Sequence, residues 1–310
     1  MNKMLFLFPG QGSQAVGMGK DLFDTFDTAK DLFNKADEVL GYSLSRLCFE
    51  GPEEDLKLTQ NTQPALLTVS TIIYRLLGTT PSLAAGHSLG EYSAHVAAGT
   101  LRFEDAVLLV HKRGRYMQEA VPVGDGAMAA VIGLSHDAVV ETLGQVESGQ
   151  VQVANWNSAE QIVISGEKKA VEEAMERFKP ARSVLLPVSA PFHSRLMQSA
   201  EDKLSVDLNK VDFSDPVFPV VCNVDAAPIN TADEARDALR RQVTRPVLWF
   251  GSMNNLKEEG IGTCLELGSG KVLAGLMKRI IRGWDSKPDV YNIEGTETLA
   301  NIKEILASTG

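Results

Sequence analysis

The stretch Ala84-Ala85-Gly86-His87-Ser88-Leu89-Gly90-Glu91 follows a short apolar run (83–85) and opens a run of helix formers (91–98). It contains G-x-S-x-G, with Ser88 at the centre. Strand, sharp turn and helix in that order are the setting of a nucleophile elbow. So tight a turn needs small flanking residues, which Gly86 and Gly90 supply. Ser88 then stands at a helix N-terminus, where free backbone N–H groups and the positive dipole end favour a developing oxyanion. The competing reading is a Gly-rich turn with a serine N-cap.

Working outward, 310 residues make one large domain or two smaller ones. Hydrophobic content of 44% and charged content of 23% are ordinary for a soluble globular protein. The formal net charge of −10 argues against a nucleic-acid surface, and an acidic protein partner would need a local basic patch. Cys48, Cys222 and Cys264 are scattered and form no C-x-x-C. They read as buried reduced thiols of a cytoplasmic protein rather than disulfides, and no metal is expected. The N-terminal apolar run ends at Pro9-Gly10 without a small-residue cleavage site, so it reads as a buried strand. No run approaches membrane-spanning length.

Gly10-x-Gly12-x-x-Ala15 raises a rival reading, a dinucleotide fingerprint. That motif needs a second strand ending in an acid about 20 residues on. Residues 21–40 read as amphipathic helix instead, which leaves a Gly-rich loop whose backbone approaches something closely. Gly51-Pro52-Glu53-Glu54 starts a helix with proline as its first residue. Further helices are expected from Thr62-Gln63-Pro64-Ala65 to about Leu77 and over 102–120. From Gly126 the pattern is strand (127–134), helix (135–146), strands (151–156 and 161–165), helix (167–178) and strand (183–188). That order, β-α-β-β-α-β, is ferredoxin-like. A helix over 193–208, a strand over 217–221, a helix over 231–242 and a strand over 262–267 follow. Gly268-Ser269-Gly270-Lys271 lacks the spacing and hydroxyl of a P-loop. The predicted fold is α/β: an α/β-hydrolase-like parallel-sheet core from residues 1–123 and 191–310, with an inserted ferredoxin-like subdomain over 124–190.

Ser88 needs a base. His87 is adjacent and points away across the turn. His95 lies two helical turns on, roughly 10 Å along the axis. His111 sits off its helix's apolar stripe, and His136, following an N-cap serine, is expected to be exposed. His193 lies in Val188-Ser189-Ala190-Pro191-Phe192-His193-Ser194, a constrained turn at the domain junction, where clefts form. The alternative is a helix-capping histidine. No acid between Ser88 and His193 stands in a clear post-strand loop, which leaves a backbone carbonyl or an amide to orient the imidazole. On the 103–117 helix, Arg113 falls at the edge of the apolar stripe, with Lys112 and Arg115 on the opposite, solvated face. A partly buried arginine requires an anion, either a structural carboxylate or the substrate.

Phe8-Pro9-Gly10-Gln11-Gly12-Ser13-Gln14, Thr62-Gln63-Pro64-Ala65, Gly86-His87-Ser88-Leu89-Gly90-Glu91-Tyr92, Arg113-Gly114 with Met117-Gln118-Glu119-Ala120, and Phe192-His193-Ser194 occur in order. Together they resemble malonyl-CoA:acyl carrier protein transacylases, over essentially the whole chain. The resemblance implies a serine acyl-enzyme, with Ser88 as nucleophile and His193 as base. Arg113 would hold the free malonyl carboxylate, and the N–H groups of Gln11 and Leu89 the oxyanion. Gln242 matches the position that orients the histidine. Malonyl-CoA is the implied donor and an acyl carrier protein with its phosphopantetheine thiol the acceptor, in a monomer without a cofactor. Phe192 resembles malonyl-selective members. Free-standing polyketide acyltransferases carry the same motifs, a serine hydrolase is the runner-up reaction, and a catalytically dead carrier-binding module is a third reading. The basic helix spanning Lys271, Lys278, Arg279 and Arg282 is the expected docking patch for the carrier.

Overall fold

Leu5, Phe6, Leu7 and Phe8 are completely buried. They alternate between two cores: Phe6 and Phe8 pack into one apolar cluster and Leu5 and Leu7 into another. A strand covered on both faces belongs inside a parallel sheet. The computed structural model describes residues 3–188 and 190–309. Met1 and Asn2 of the N-terminal run, Ser189 of the turn before His193, and Gly310 lie outside the described residues.

In chain order the strands are β1 (Lys3–Phe8), β2 (Leu83–Gly86), β3 (Gly126–Ile132), β4 (Val151–Ser158), β5 (Gln161–Glu167), β6 (Arg182–Leu185), β7 (Val220–Val221), β8 (Pro228–Ile229), β9 (Ile261–Leu267) and β10 (Asp289–Ile293). One sheet runs β10-β9-β1-β2-β7-β8, parallel except for the antiparallel β7–β8 pair. The other runs β4-β5-β3-β6 and is antiparallel throughout. With helices His136–Leu143 and Lys168–Arg177 in the crossovers, this second sheet has the ferredoxin-like order and its own apolar cluster. The α/β architecture, a parallel core beside a βαββαβ sheet, is therefore the one expected. No helix among the described residues is long and apolar enough to cross a membrane.

Several elements differ from the sequence reading. The 21–40 segment forms two helices, Lys20–Thr25 and Asp27–Leu40, because Phe26 is extended between them. Pro52 is the N-cap of Glu53–Lys57, not its first residue. The next helix starts earlier, at Thr59, and carries Pro64 inside it. Proline cannot donate to the carbonyl four residues back. That carbonyl, of Gln60, accepts instead from His111 Nδ1 at 2.9 Å, which gives His111 a structural task. The expected helix from His193 starts later, as a 3₁₀ turn at Arg195–Met197 followed by Gln198–Leu208. His136 is half-buried rather than exposed, stacked on Trp156 at 4.4 Å. Lys112 is not simply solvated; it pairs with Asp207 at 2.8 Å.

The elbow sits at the carboxyl end of β2, beside the loop that leaves β1. Glycine is required at both flanks for a steric reason. A Cβ on Gly86 would lie 1.9 Å from the Gly90 carbonyl, and one on Gly90 would lie 2.0 Å from the Phe8 carbonyl oxygen. Both obstacles are backbone, so neither can swing aside. Gly86→Ala is therefore expected to cost more than about 3 kcal/mol of unfolding free energy. Urea unfolding measures it, and a midpoint equal to the wild-type value would contradict this packing.

Candidate active site

Ser88 occupies the N-cap position of the Leu89–Ala97 helix with φ 51°, a left-handed value that non-glycine residues avoid. Its hydroxyl caps nothing. Oγ instead lies 2.7 Å from His193 Nε2. His193 also has a left-handed φ, 56°, and is buried. Two non-glycine residues in the left-handed region, on different segments and touching each other, mark strain held by the surrounding fold.

The imidazole's tautomer follows from its neighbours. His193 Nδ1 is 2.8 Å from the backbone carbonyl of Gln242, which can only accept, so Nδ1 carries the proton. Nε2 is then the free lone pair, and the Ser88 hydroxyl donates to it. Burial, reinforced by the Arg113 charge, pushes His193 down to about 3. The ring stays neutral near pH 7 and is ready to take a proton. Of the two orienting groups left open by the sequence, the structure uses the backbone carbonyl.

The Gln242 side chain has other work. Its Nε2 donates to the Ser88 carbonyl at 3.0 Å and to Glu91 Oε2 at 2.7 Å, which turns Oε1 toward Arg113. Arg113 is 1% exposed. Nη2 donates to Gln242 Oε1 at 2.7 Å and to Ser88 Oγ at 3.1 Å, and Nη1 donates to Gln63 Oε1 at 2.8 Å. The guanidinium also lies over the Tyr92 ring, 5.5 Å from its centroid. All its hydrogen-bond acceptors are uncharged, no carboxylate forms an ion pair with it, and Nε has no partner, among the described residues. The structural-carboxylate reading of Arg113 therefore fails.

Asn223, just past β7, fixes the elbow. Its Oδ1 accepts from Ser88 N–H at 2.7 Å, and its Nδ2 donates to the Gly86 carbonyl at 2.7 Å. Its own N–H donates to Glu91 Oε2 at 3.0 Å. Gly10 packs so closely on His87 that a Cβ there would lie 2.4 Å from the His87 carbonyl oxygen, which brings the Gln11 loop to the elbow. Among the described residues, the backbone N–H groups of Gln11 and Leu89 have no internal hydrogen-bond partner. The remaining histidines are elsewhere: His87 Nε2 is 2.9 Å from Asn157 Oδ1, and His95 is fully buried in the elbow helix. Phe192 is buried, and Lys278 and Arg279 are exposed on the Val272–Ile280 helix.

A neutral histidine hydrogen-bonded to a hydroxyl, two free N–H groups near the elbow and a buried uncompensated arginine together suit acyl transfer of a carboxylated group. The acyl transferase domain family matches residues 5–275. A malonyl CoA-acyl carrier protein transacylase of Bacillus subtilis (strain 168) is 49% identical over 290 residues, 91% of this chain and 92% of its own. The chain belongs to the malonyl CoA-acyl carrier protein transacylases. The crystal structure of an acyl carrier protein S-malonyltransferase from Vibrio cholerae O1 biovar eltor is similar with a TM-score of 0.93 at 42% identity, covering 97% of this chain and 99% of its own. A malonyl-transacylase in complex with its type II PKS acyl-carrier protein gives a TM-score of 0.94 at 44% identity, covering 98% and 99%.

Within this transacylase, three members of the network went unread in the sequence. Asn223 follows a buried run at the carboxyl end of a parallel strand, a place where sites form. Gln63 stands one helical turn inside its helix, in a motif noticed but given no task. Glu91 stands in the Gly86–Tyr92 motif and is a carboxylate fully buried in the elbow helix. Burial pushes Glu91 up to about 7, against the lowering effect of the bonds from Gln242 and Asn223. Below about pH 4.5, folded and unfolded chains both hold this proton; between there and about 7 the unfolded chain releases it and the folded chain keeps it. Glu91 therefore makes wild type lose stability as pH rises through that window. Glu91→Gln removes this term, so the variant's stability relative to wild type should climb by up to ~3 kcal/mol between about pH 4.5 and 7. Urea unfolding at the two ends of the window checks it; a pH-independent difference would contradict a buried, titrating Glu91.

Proposed function

We propose that Ser88 carries the malonyl group from malonyl-CoA to the phosphopantetheine thiol of an acyl carrier protein. As Ser88 Oγ attacks the thioester carbonyl, its proton passes to His193 Nε2. The N–H groups of Gln11 and Leu89 receive the oxyanion. The C–S bond then breaks, the departing coenzyme A sulfur takes the proton from His193, and malonyl remains as an ester on Ser88. In the second half, the carrier thiol gives its proton to His193 and attacks the ester, and Ser88 Oγ regains the proton as it leaves. Throughout, Arg113 pairs with the malonyl carboxylate. The Gln242 carbonyl holds the ring of His193, and the Gln242 side chain, anchored by Glu91, presents Oε1 to Arg113.

One observation carries this reading: a fully buried guanidinium 3.1 Å from the serine hydroxyl, bonded to neutral acceptors. A serine hydrolase of uncharged esters has no need of it. Fatty-acid synthesis is the pathway favoured by the family; the likeness to a transacylase complexed with a type II PKS acyl-carrier protein supports a polyketide carrier as the second reading.

Intact mass spectrometry after mixing with malonyl-CoA should show one malonyl adduct, discharged faster by holo acyl carrier protein than by water. Ser88→Ala should show none, and His193→Ala should slow transfer by at least about 10². A malonyl adduct on the Ser88→Ala protein would refute the assignment.

A further inference from the structure

The βαββαβ sheet meets the parallel-sheet core along β4. Trp156 N–H donates to the Val247 carbonyl at 2.9 Å, Val247 N–H donates to the Ala154 carbonyl at 2.8 Å, and Asn155 pairs with Val247 in parallel. Three residues before Asn155 stands Gln152, and three before Val247 stands Thr244, so parallel pairing brings those two level. At this level the chain borders a cleft of about 1190 Å³, which Gln152, Ser194, Arg195 and Thr244 all line.

The whole Gln152 amide is committed to backbone groups. Nε2 donates to the His193 carbonyl at 3.1 Å and to the Thr244 carbonyl at 3.4 Å, and Oε1 accepts from Arg195 N–H at 3.1 Å. An amide nitrogen has two hydrogens to give, so both are used. The bonds to His193 and Arg195 bracket the turn that carries the imidazole. The bond to Thr244 ends two residues past Gln242, whose carbonyl accepts from His193 Nδ1. One side chain thus ties together both ends of the bond that orients the ring.

The turn needs such a tie. His193 stands at φ 56°, a conformation that persists only where the surroundings hold it. Along the cleft, open space replaces packed neighbours, so dispersion contacts cannot supply the restraint there. Among the described residues, Gln152 makes the only side-chain hydrogen bonds to the backbone of residues 193–195. Local bonds, such as Ser194 Oγ to the Pro191 carbonyl and Met197 N–H to the Ser194 carbonyl, move with the turn. Gln152 is not what docks β4. The ladder to Val247 and the 2.9 Å contact of His87 Nε2 with Asn157 Oδ1 do that without it.

We propose that Gln152 is a positioning residue for the base, acting through the backbone of His193 to keep Nε2 aimed at Ser88 Oγ. The inference rests on the transfer reading above and adds to it a residue of the second sheet.

The test compares the full chain with Gln152→Ala, which removes the amide, and Gln152→Met, which keeps the side chain's length and loses its hydrogen bonds. Single-turnover acylation by saturating malonyl-CoA, followed by intact mass, should slow by at least about tenfold in both. The malonyl-CoA concentration giving half the maximal rate, and the preference for malonyl-CoA over acetyl-CoA, should stay within about twofold of wild type, because Arg113 is untouched. In the substrate-free chains, NMR of isotope-labelled histidine should show the wild-type His193 Nδ1–H signal lost to water exchange in both variants. A wild-type acylation rate in either variant, an unmoved Nδ1–H signal, or a half-saturation that rises in step with the fall in rate would each overturn the inference and leave the transfer reading standing. A wild-type chain that takes no malonyl from malonyl-CoA would overturn both.

Discussion

The burial of Arg113 is the constraint around which the rest of the site is arranged. A guanidinium removed from water and left without an anion is destabilising by several kcal/mol. Here the charge rests on two glutamine carbonyls, a serine hydroxyl and the face of Tyr92. Those dipoles satisfy geometry without cancelling charge. Glu91 acts on it only through space: its Oε2 accepts from Gln242 and Asn223 instead, and burial favours its neutral form. The site keeps a cation in low dielectric, which is what the proposed pairing with the malonyl carboxylate requires.

The same residues serve the nucleophile. Gln242 holds His193 with its backbone and Arg113 with its side chain, so the proposed base and the proposed selectivity element share one support. Asn223 and Gln242 between them tie down the Ser88 backbone at both its N–H and its carbonyl. This explains how two left-handed non-glycine residues persist: Ser88 is held by Asn223 and Gln242, and His193 by Gln242 and by the amide of Gln152. The parallel sheet makes the arrangement possible, because β1, β2 and β7 deliver the Gln11 loop, the elbow and Asn223 to the same edge.

Much of this was legible in the chain. The apolar runs of β1 and β9, the G-x-S-x-G turn and the βαββαβ alternation depend on local pattern, and local pattern is what a sequence carries. His193 could be singled out because a constrained junction turn is a local feature too. Arg113 could be placed at a face edge by helical periodicity, but its anion could not be settled, since that depends on which distant groups surround it. Asn223 and Glu91 were missed for the same reason: 132 positions separate them, and only the sheet's crossovers bring them together. The Pro64–His111 exchange is a further case, in which a helix defect is repaired by a side chain 51 positions from Gln60.

The central claim is that Arg113 supplies the protein's half of an ion pair with malonyl. The direct measurement is the ratio of kcat/KM for malonyl-CoA to that for acetyl-CoA, in wild type and in Arg113→Ala. With acetyl in place the wild-type arginine stays buried and unpaired; alanine removes both that penalty and the attraction for malonyl. The ratio should fall by at least about a hundredfold in the variant, with acetyl transfer gaining relative to malonyl. An unchanged ratio in a variant that still folds would mean that Arg113 is structural and that selectivity arises elsewhere in the pocket.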